Sequence, residues 1–332
     1  MHPFTLERPP DLAAALTWRA QAGRNDAPAE YIAGGTDMIQ LLQEHVRRPE
    51  RLVTLAGLLD RRIEIGRQGL RLGAAATMAE VAAHPGVVQQ FPVIAEALLN
   101  SASPQVRNQA TMGGNLLQRT RCPYFRDVGY GACNKRAPGS GCAAIAGENR
   151  WHAVFGTSSN CIAAHASDLA VALVALDAAV EVRAPQGRRT VPLNDLYRLP
   201  ADTPHIETVL EPGEVITAIT VPASPAARRS HYLKVRDRAS FEFALVAAAV
   251  ALDMKGPRIR QARVALGGIG TKPWRVPRVE QALAGATLDP AALRRAAALA
   301  AEGAQGFGHN DFKIVLMQRA IVRAIETLGA RA

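Results

Sequence analysis

Tyr31-Ile32-Ala33-Gly34-Gly35-Thr36-Asp37-Met38 reads as a short apolar strand running into paired glycines, after which Ile39, Leu41 and Leu42 open an apolar helix. Paired glycines allow a tight turn whose backbone N–H groups converge on an anion, and Thr36 adds a hydroxyl donor. A second stretch, Ala110-Thr111-Met112-Gly113-Gly114-Asn115, repeats the arrangement, its glycines bracketed by a hydroxyl and an amide. Either one alone reads equally well as an ordinary strand-end turn. Two together suit a diphosphate held from both sides.

Outward from these loops the pattern alternates between small strands and helices. Residues 51–55 form a second strand, and residues 63–65 and 70–73 flank a glycine turn that suits a hairpin. Thr77 with Glu80 makes a capping box, and Pro92 occupies a first helical position before Ile94, Ala97 and Leu98. Ser167-Asp168 can cap a helix through Leu169, Leu173 and Leu176. A hairpin follows at residues 180–183 and 190–193, then a strand at 215–221 and a linker at 223–230. The last hundred residues open with strands at 232–235, about 246–253 and 263–266. The run from Phe243 to Met254 is continuously apolar, so its period does not separate strand from helix. Asp289-Pro290 caps a helix, and Ile314, Met317, Ile321, Ile325 and Leu328 form one apolar stripe.

Between Arg119 and Asn160 neither period persists, and Gly, Pro, Asn, Arg and Cys dominate. So long an irregular segment inside a compact domain needs something to pin it. All four cysteines, Cys122, Cys133, Cys142 and Cys161, fall within 40 residues there, with gaps of 10, 8 and 18. Three readings compete. Two disulfides suit an oxidising compartment and much smaller proteins. Structural zinc usually has cysteines paired two to four apart, and none are so spaced. A [4Fe–4S] cluster tolerates irregular spacing when a folded loop presents four thiolates. Arg121, Arg126, Lys135 and Arg136 can offset thiolate charge, and Gly129, Gly131, Gly139 and Gly141 can bring N–H groups to sulfur. His152 and His165 flank the segment, where either can line a cluster or a cofactor.

Other signals set bounds. At 332 residues the chain needs two or three domains. Gly139-Ser140-Gly141-Cys142-Ala143-Ala144 fits a dinucleotide pattern but lacks the strand before and the helix after. The formal charge of +10 comes from scattered basic pairs, and aromatics are 5%, which argues against nucleic acid and for a solvated or partner-docking surface. No segment is apolar enough to span a membrane, and the N-terminus lacks the pattern of an export signal.

Residues 33–38, Gln105-Val106-Arg107-Asn108-Gln109-Ala110-Thr111-Met112-Gly113-Gly114-Asn115-Leu116, and Ser167-Asp168 resemble the FAD-binding subunit of the xanthine dehydrogenase/molybdenum hydroxylase family. Tyr232-Leu233-Lys234-Val235-Arg236, Leu266-Gly267-Gly268 and Pro273-Trp274-Arg275 continue the resemblance over essentially the whole chain. Gln118-Arg119-Thr120-Arg121-Cys122-Pro123-Tyr124-Phe125 and the run from Cys133 to Cys142 resemble the branch of bacterial periplasmic-type aldehyde oxidoreductases, whose flavin subunit carries an extra [4Fe–4S] cluster.

The resemblance implies an α+β chain. Residues 1–224 would form a PCMH/vanillyl-alcohol-oxidase-type FAD-binding fold with subdomains of about 1–57 and 58–224 and a cluster insert of about 119–162. Residues 229–332 would form a C-terminal α+β domain with a three-stranded antiparallel sheet and helices. It makes Ile32, Ala33, Gly34, Gly35, Thr36, Asp37, Met38, Thr111, Met112, Gly113, Gly114, Asn115, Asp168, Ile216 and Lys234 FAD contacts, and Cys122, Cys133, Cys142 and Cys161 cluster ligands. No catalytic acid or base need lie on this chain. It would carry electrons from partner clusters through FAD to an external acceptor during oxidation of aldehydes to carboxylic acids. Two partner [2Fe–2S] clusters need eight cysteines and this chain has four, so a small iron–sulfur subunit is required beside the large molybdenum subunit. The resemblance places such a complex in the periplasm by export with a partner, with the cytoplasm as the alternative. A stand-alone FAD oxidase and an iron–sulfur binding module are the rival classes.

Overall fold

The computed structural model describes residues 1–22 and 29–330, in which three sheets are arranged along the chain. The first is small and parallel. Its strands β1 (Thr5–Glu7), β2 (Ala29–Ile32) and β3 (Arg51–Thr54) lie in the order β1-β3-β2. Ala15 and Leu16 of the Leu12–Ala22 helix pack with Val53 and Leu55 of this sheet and its exit. The second sheet is antiparallel and holds β4 (Ile63–Gly66), β5 (Gly69–Gly73), β6 (Ala179–Ala184), β7 (Gly187–Pro192) and β8 (Val215–Pro222) in the order β4-β5-β8-β6-β7. Both expected hairpins are present, paired Ile63 to Leu72 and Val180 to Val191.

Short helices cover the second sheet, and their ends follow the chain's local chemistry. Thr77 accepts the Glu80 N–H while the Glu80 carboxylate accepts the Thr77 N–H, a complete capping box. Pro92 starts the Pro92–Leu99 helix, which buries Ile94, Ala97 and Leu98.

The third sheet comprises β9 (Ser230–Val235), β10 (Val246–Lys255), β11 (Arg258–Gly267) and β12 (Trp274–Arg275) in the order β12-β11-β10-β9. It has four strands where three were expected, because Trp274 and Arg275 add a short edge pair to Leu266 and Ala265. The ambiguous apolar run is a strand. Val246, Ala248, Val250 and Leu252 face the C-terminal helices, whereas Ala247, Ala249 and Ala251 face the second sheet's helices. Burial on both faces removes the polar alternation that would have marked a strand. The small residues on the second face let the Asp168–Ala175 helix come close, and a Cβ on Gly267 would lie 2.7 Å from Val171 Cγ2.

Residues 119–162 stay irregular apart from the Pro123–Arg126 helix and isolated pairings such as Cys133 with Cys142. They do own a small core, in which Phe125 and Cys133 pack on Leu41. Among the described residues no helix is long and apolar enough to cross a membrane.

Candidate functional site

A cleft of about 850 Å³ opens where the first sheet, β8, β9 and the irregular segment meet. Of the FAD contacts expected from the sequence, Ile32, the 33–38 loop, Thr111, Gly113, Gly114, Asn115, Asp168, Ile216 and Lys234 all line it. Met112 does not. Its side chain is fully buried in the core of the second sheet.

The two glycine loops differ in what they offer. Among the described residues, the backbone N–H groups of Gly34, Gly35, Thr36 and Asp37 have no hydrogen-bond partner, and they form a row on the cleft wall. Gly35 reaches this turn at φ 72°, in the left-handed region. Four unpaired N–H groups at a turn are a cradle for a phosphate. The second loop is instead the Met112–Leu116 helix, capped by Thr111. Met112 and Gly113 donate to Ala76 and Ala74 carbonyls at 2.9 Å each, and Gly114 and Asn115 donate to Thr111. Its N–H groups are therefore engaged, and it presents surface to the cleft instead of a second cradle.

Asn115 is held by Ser167, whose Oγ donates to Asn115 Oδ1 at 2.6 Å and accepts the Ala170 N–H at 3.0 Å. Ser167, not Asp168, is thus the helix cap. Ser167→Ala should destabilise the chain by about 2 kcal/mol, through loss of a cap and an unsatisfied buried amide oxygen. A lowered urea midpoint checks this.

Asp37 faces away from the N–H row into the irregular segment. Its carboxylate accepts from Arg119 N at 2.8 Å, Arg121 Nη1 at 2.6 Å and Arg126 Nη2 at 2.7 Å. Burial works against its charge, but Arg121, Arg126 and the Arg119 N–H outweigh burial and hold its pKa below the usual value. Glu207 is lowered likewise: burial opposes its charge, while Arg119 and Lys135 (2.7 Å) stabilise it. Depressed carboxyls contribute stability in full above about pH 4.5 and lose it as the pH falls through their lowered values. Amide protection across residues 119–126, corrected for intrinsic exchange, should therefore collapse in acid. Asp37→Asn should show the same opening at neutral pH.

Asp168 and Lys234 form a buried pair at 2.7 Å with side chains 6% and 1% exposed. Tyr232 Oη donates to the same carboxylate at 2.6 Å and Ser101 Oγ at 2.9 Å. Lys234 also donates to the Asn100 carbonyl at 3.0 Å, which leaves one of its three N–H donors for the cleft. His165 lines the cleft with Nε2 enclosed and unpartnered, and burial lowers its pKa to about 4, so it is neutral. Its ring stands edge-on to Tyr197 at 4.4 Å. These features fit a bound anionic dinucleotide: a row of open N–H donors, one spare ammonium proton and a neutral ring nitrogen lacking a partner.

The four cysteines are free thiols. Among the described residues no three His, Cys, Asp or Glu side chains are placed to hold a single metal ion. The thiols nevertheless sense one another. Burial pushes Cys122 up to about 12, and Cys161 and Cys133 add to the rise against N–H groups of Phe125 and Tyr124. Burial also raises Cys161, with Lys135 opposing and Cys142 and Cys133 contributing. Two buried thiols, Cys133 and Cys161, and two partly buried ones, Cys122 and Cys142, in electrostatic reach of one another supply the type of donor a cluster uses. Cys161 also lines the cleft.

The charges expected to offset these sulfurs are mostly committed elsewhere. Arg121 and Arg126 serve Asp37, and Arg136 Nη1 donates to the carbonyls of Tyr124, Phe125 and Asp127. Gly129 and Gly141 donate to Asp127 and Asn134 side chains and not to sulfur. Sequence reading missed Glu207, Ser101 and Tyr232. No local spacing marks them, because their partners lie far away along the chain.

Residues 2–224 match the FAD binding domain in molybdopterin dehydrogenase, and residues 231–328 match the CO dehydrogenase flavoprotein C-terminal domain. The chain is 44% identical to the aldehyde oxidoreductase FAD-binding subunit of Escherichia coli (strain K12) over the full length of both. It is 27% identical to the carbon monoxide dehydrogenase medium chain of Afipia carboxidovorans, over 99% of this chain and 98% of that one. The structure of reconstituted CO dehydrogenase from Oligotropha carboxidovorans superposes with a TM-score of 0.76 at 26% identity, covering all of both chains.

Proposed function

We propose, because this chain belongs to the FAD-binding molybdopterin dehydrogenase family with its flavoprotein C-terminal domain, that it is the electron-transferring flavin subunit of a molybdenum-dependent aldehyde oxidoreductase. The observation that carries the reading is the row of open N–H groups from Gly34 to Asp37 on the wall of the cleft. Bound FAD takes up electrons singly or in pairs, which suits it to link iron–sulfur carriers to an external acceptor. The chain's residues supply position and charge. Gly34, Gly35 and Thr36 hold the phosphates, the Asp168–Lys234 pair keeps a fixed ammonium at the wall, and neutral His165 offers one ring nitrogen. A large molybdenum subunit and a small [2Fe–2S] subunit are the partners, and export with a partner to the periplasm is the route to the working compartment.

Cys122, Cys133, Cys142 and Cys161 hold a [4Fe–4S] cluster in this proposal. Support comes from two buried and two partly buried thiols in electrostatic reach of one another on a segment whose own core is only a few side chains. A single zinc ion suits them less, since no two of the cysteines are spaced two to four residues apart. The purified complex tests both parts. It should yield FAD on extraction, and this chain should carry about four irons and four sulfides. Flavin without partner subunits would favour a stand-alone oxidase. Zinc in place of iron and sulfide would end the cluster reading while leaving the flavin reading intact.

A further inference from the structure

Asp37 caps the Met38–Gln43 helix by position, yet its carboxylate makes no capping bond and turns out to the cysteine segment. One of the groups that hold it there is Arg126. Its Nη2 donates to Asp37 Oδ1 at 2.7 Å, and its Nη1 to Glu44 Oε2 at 3.2 Å, just past the other end of the same helix. Its Nε donates to the Thr120 carbonyl at 2.9 Å, and Nη2 also to the Arg119 carbonyl at 3.3 Å. A single guanidinium, 10% exposed, thus ties both ends of the helix to the segment. Between the two ion pairs Leu41 packs on Phe125 and Cys133. Asp37 lines the cleft, whereas Arg126 and Glu44 lie behind its wall.

The 33–38 turn therefore has two loads. Its N–H row faces the cleft, and its carboxylate anchors residues 119–126. A carboxylate beside the row repels a diphosphate unless cations compensate it. Resting on the flavin reading above, we propose that Arg126 is a positioning residue for FAD: by fixing and neutralising Asp37 from behind, it couples phosphate binding at the turn to closure of the cysteine segment. Coupling of this kind is reciprocal, so FAD tightens the segment by the factor by which the closed segment tightens FAD. An arginine that served the segment alone would leave the affinity for FAD untouched. The place to look is the Pro123–Arg126 helix. Arg119, Thr120 and Arg121 line the cleft, where a ligand shields them directly, but this helix does not. The N–H groups of Phe125 and Arg126 donate to the Cys122 carbonyl at 3.1 and 3.0 Å, and that of Asp127 to the Pro123 carbonyl at 2.8 Å. Protection of these three amides reports closure without ligand contact.

The test strips flavin from the intact complex with a chaotrope and returns FAD by titration. Quenching of FAD fluorescence gives the affinity, and amide exchange of Phe125, Arg126 and Asp127 gives the closure. Saturating FAD should slow exchange at these amides about tenfold in the unmodified complex. Arg126→Gln should weaken FAD binding about tenfold and abolish the slowing. Arg126→Lys keeps the charge without the fork and should recover part of the affinity. Glu44→Gln frees only the outer arm of the clamp and should weaken FAD by a smaller factor, about threefold. Unchanged FAD affinity in the Arg126→Gln complex would overturn the proposal, and if that variant does not assemble, unchanged affinity in Glu44→Gln does so. FAD that binds the unmodified complex without slowing exchange overturns it as well. An unmodified complex that takes up no FAD would instead show that the flavin reading itself had failed.

Discussion

Gly34→Ala should leave the complex without FAD. A Cβ at this position would lie 2.0 Å from the Gln109 carbonyl oxygen, 2.8 Å from its carbon and 3.3 Å from Ala110 Cα. All three are backbone atoms, so no side chain can swing away, and the 33–38 loop must part from the segment leading into Thr111. Overpacking of this kind costs roughly 1–3 kcal/mol or more. Here the displacement falls on the N–H row itself. A loss of about 3 kcal/mol in cofactor binding corresponds to more than a hundredfold in affinity, enough to strip flavin during purification. Flavin absorbance per chain is the measurement. Gly66→Ala is the control, since nothing lies within 4 Å of a Cβ there, and it should retain flavin and stability. Full flavin content in the Gly34→Ala protein would mean that the cradle lies elsewhere.

Lys234→Met should be the most destabilising single change at the cleft. Lys234 and Asp168 are both buried and 2.7 Å apart, so removing the ammonium leaves a carboxylate facing only the Tyr232 and Ser101 hydroxyls. Breaking a buried pair from one side typically costs about 3–5 kcal/mol, mostly as the penalty of the stranded charge. Asp168→Asn combined with Lys234→Met removes both charges and should recover at least half of that loss in denaturant midpoint. Equal destabilisation in the single and double variants would show that packing, not charge, dominates. The coupling also bears on function, because the pair fixes an ammonium donor on the wall of the cleft.

The sequence carried the local half of this molecule. The Thr77–Glu80 box, Pro92 and Asp289-Pro290 each mark a helix start within four residues, and the structure has a helix at each. The paired glycines marked both loops of the cleft, and the apolar stripe from Ile314 to Leu328 marked the long C-terminal helix. The run after Phe243 was undecidable for a stated reason. With both faces of β10 covered, its alternation is between two buried sides, and no polar residue reports it.

Only the tertiary structure decided how the polar groups were shared out. Asp37 looked like part of a phosphate loop, yet its carboxylate binds an N–H 82 residues away. The second glycine loop looked equivalent to the first, yet the Ala74 and Ala76 carbonyls take its donors. Lys313 lay in an amphipathic helix with no sign that it would reach the carbonyl of His152. Capping and turn formation are settled by neighbours along the chain, so spacing encodes them. Whether a donor or a charge is left free for a ligand depends on which distant groups fold against it, and that is a property of the packed chain alone.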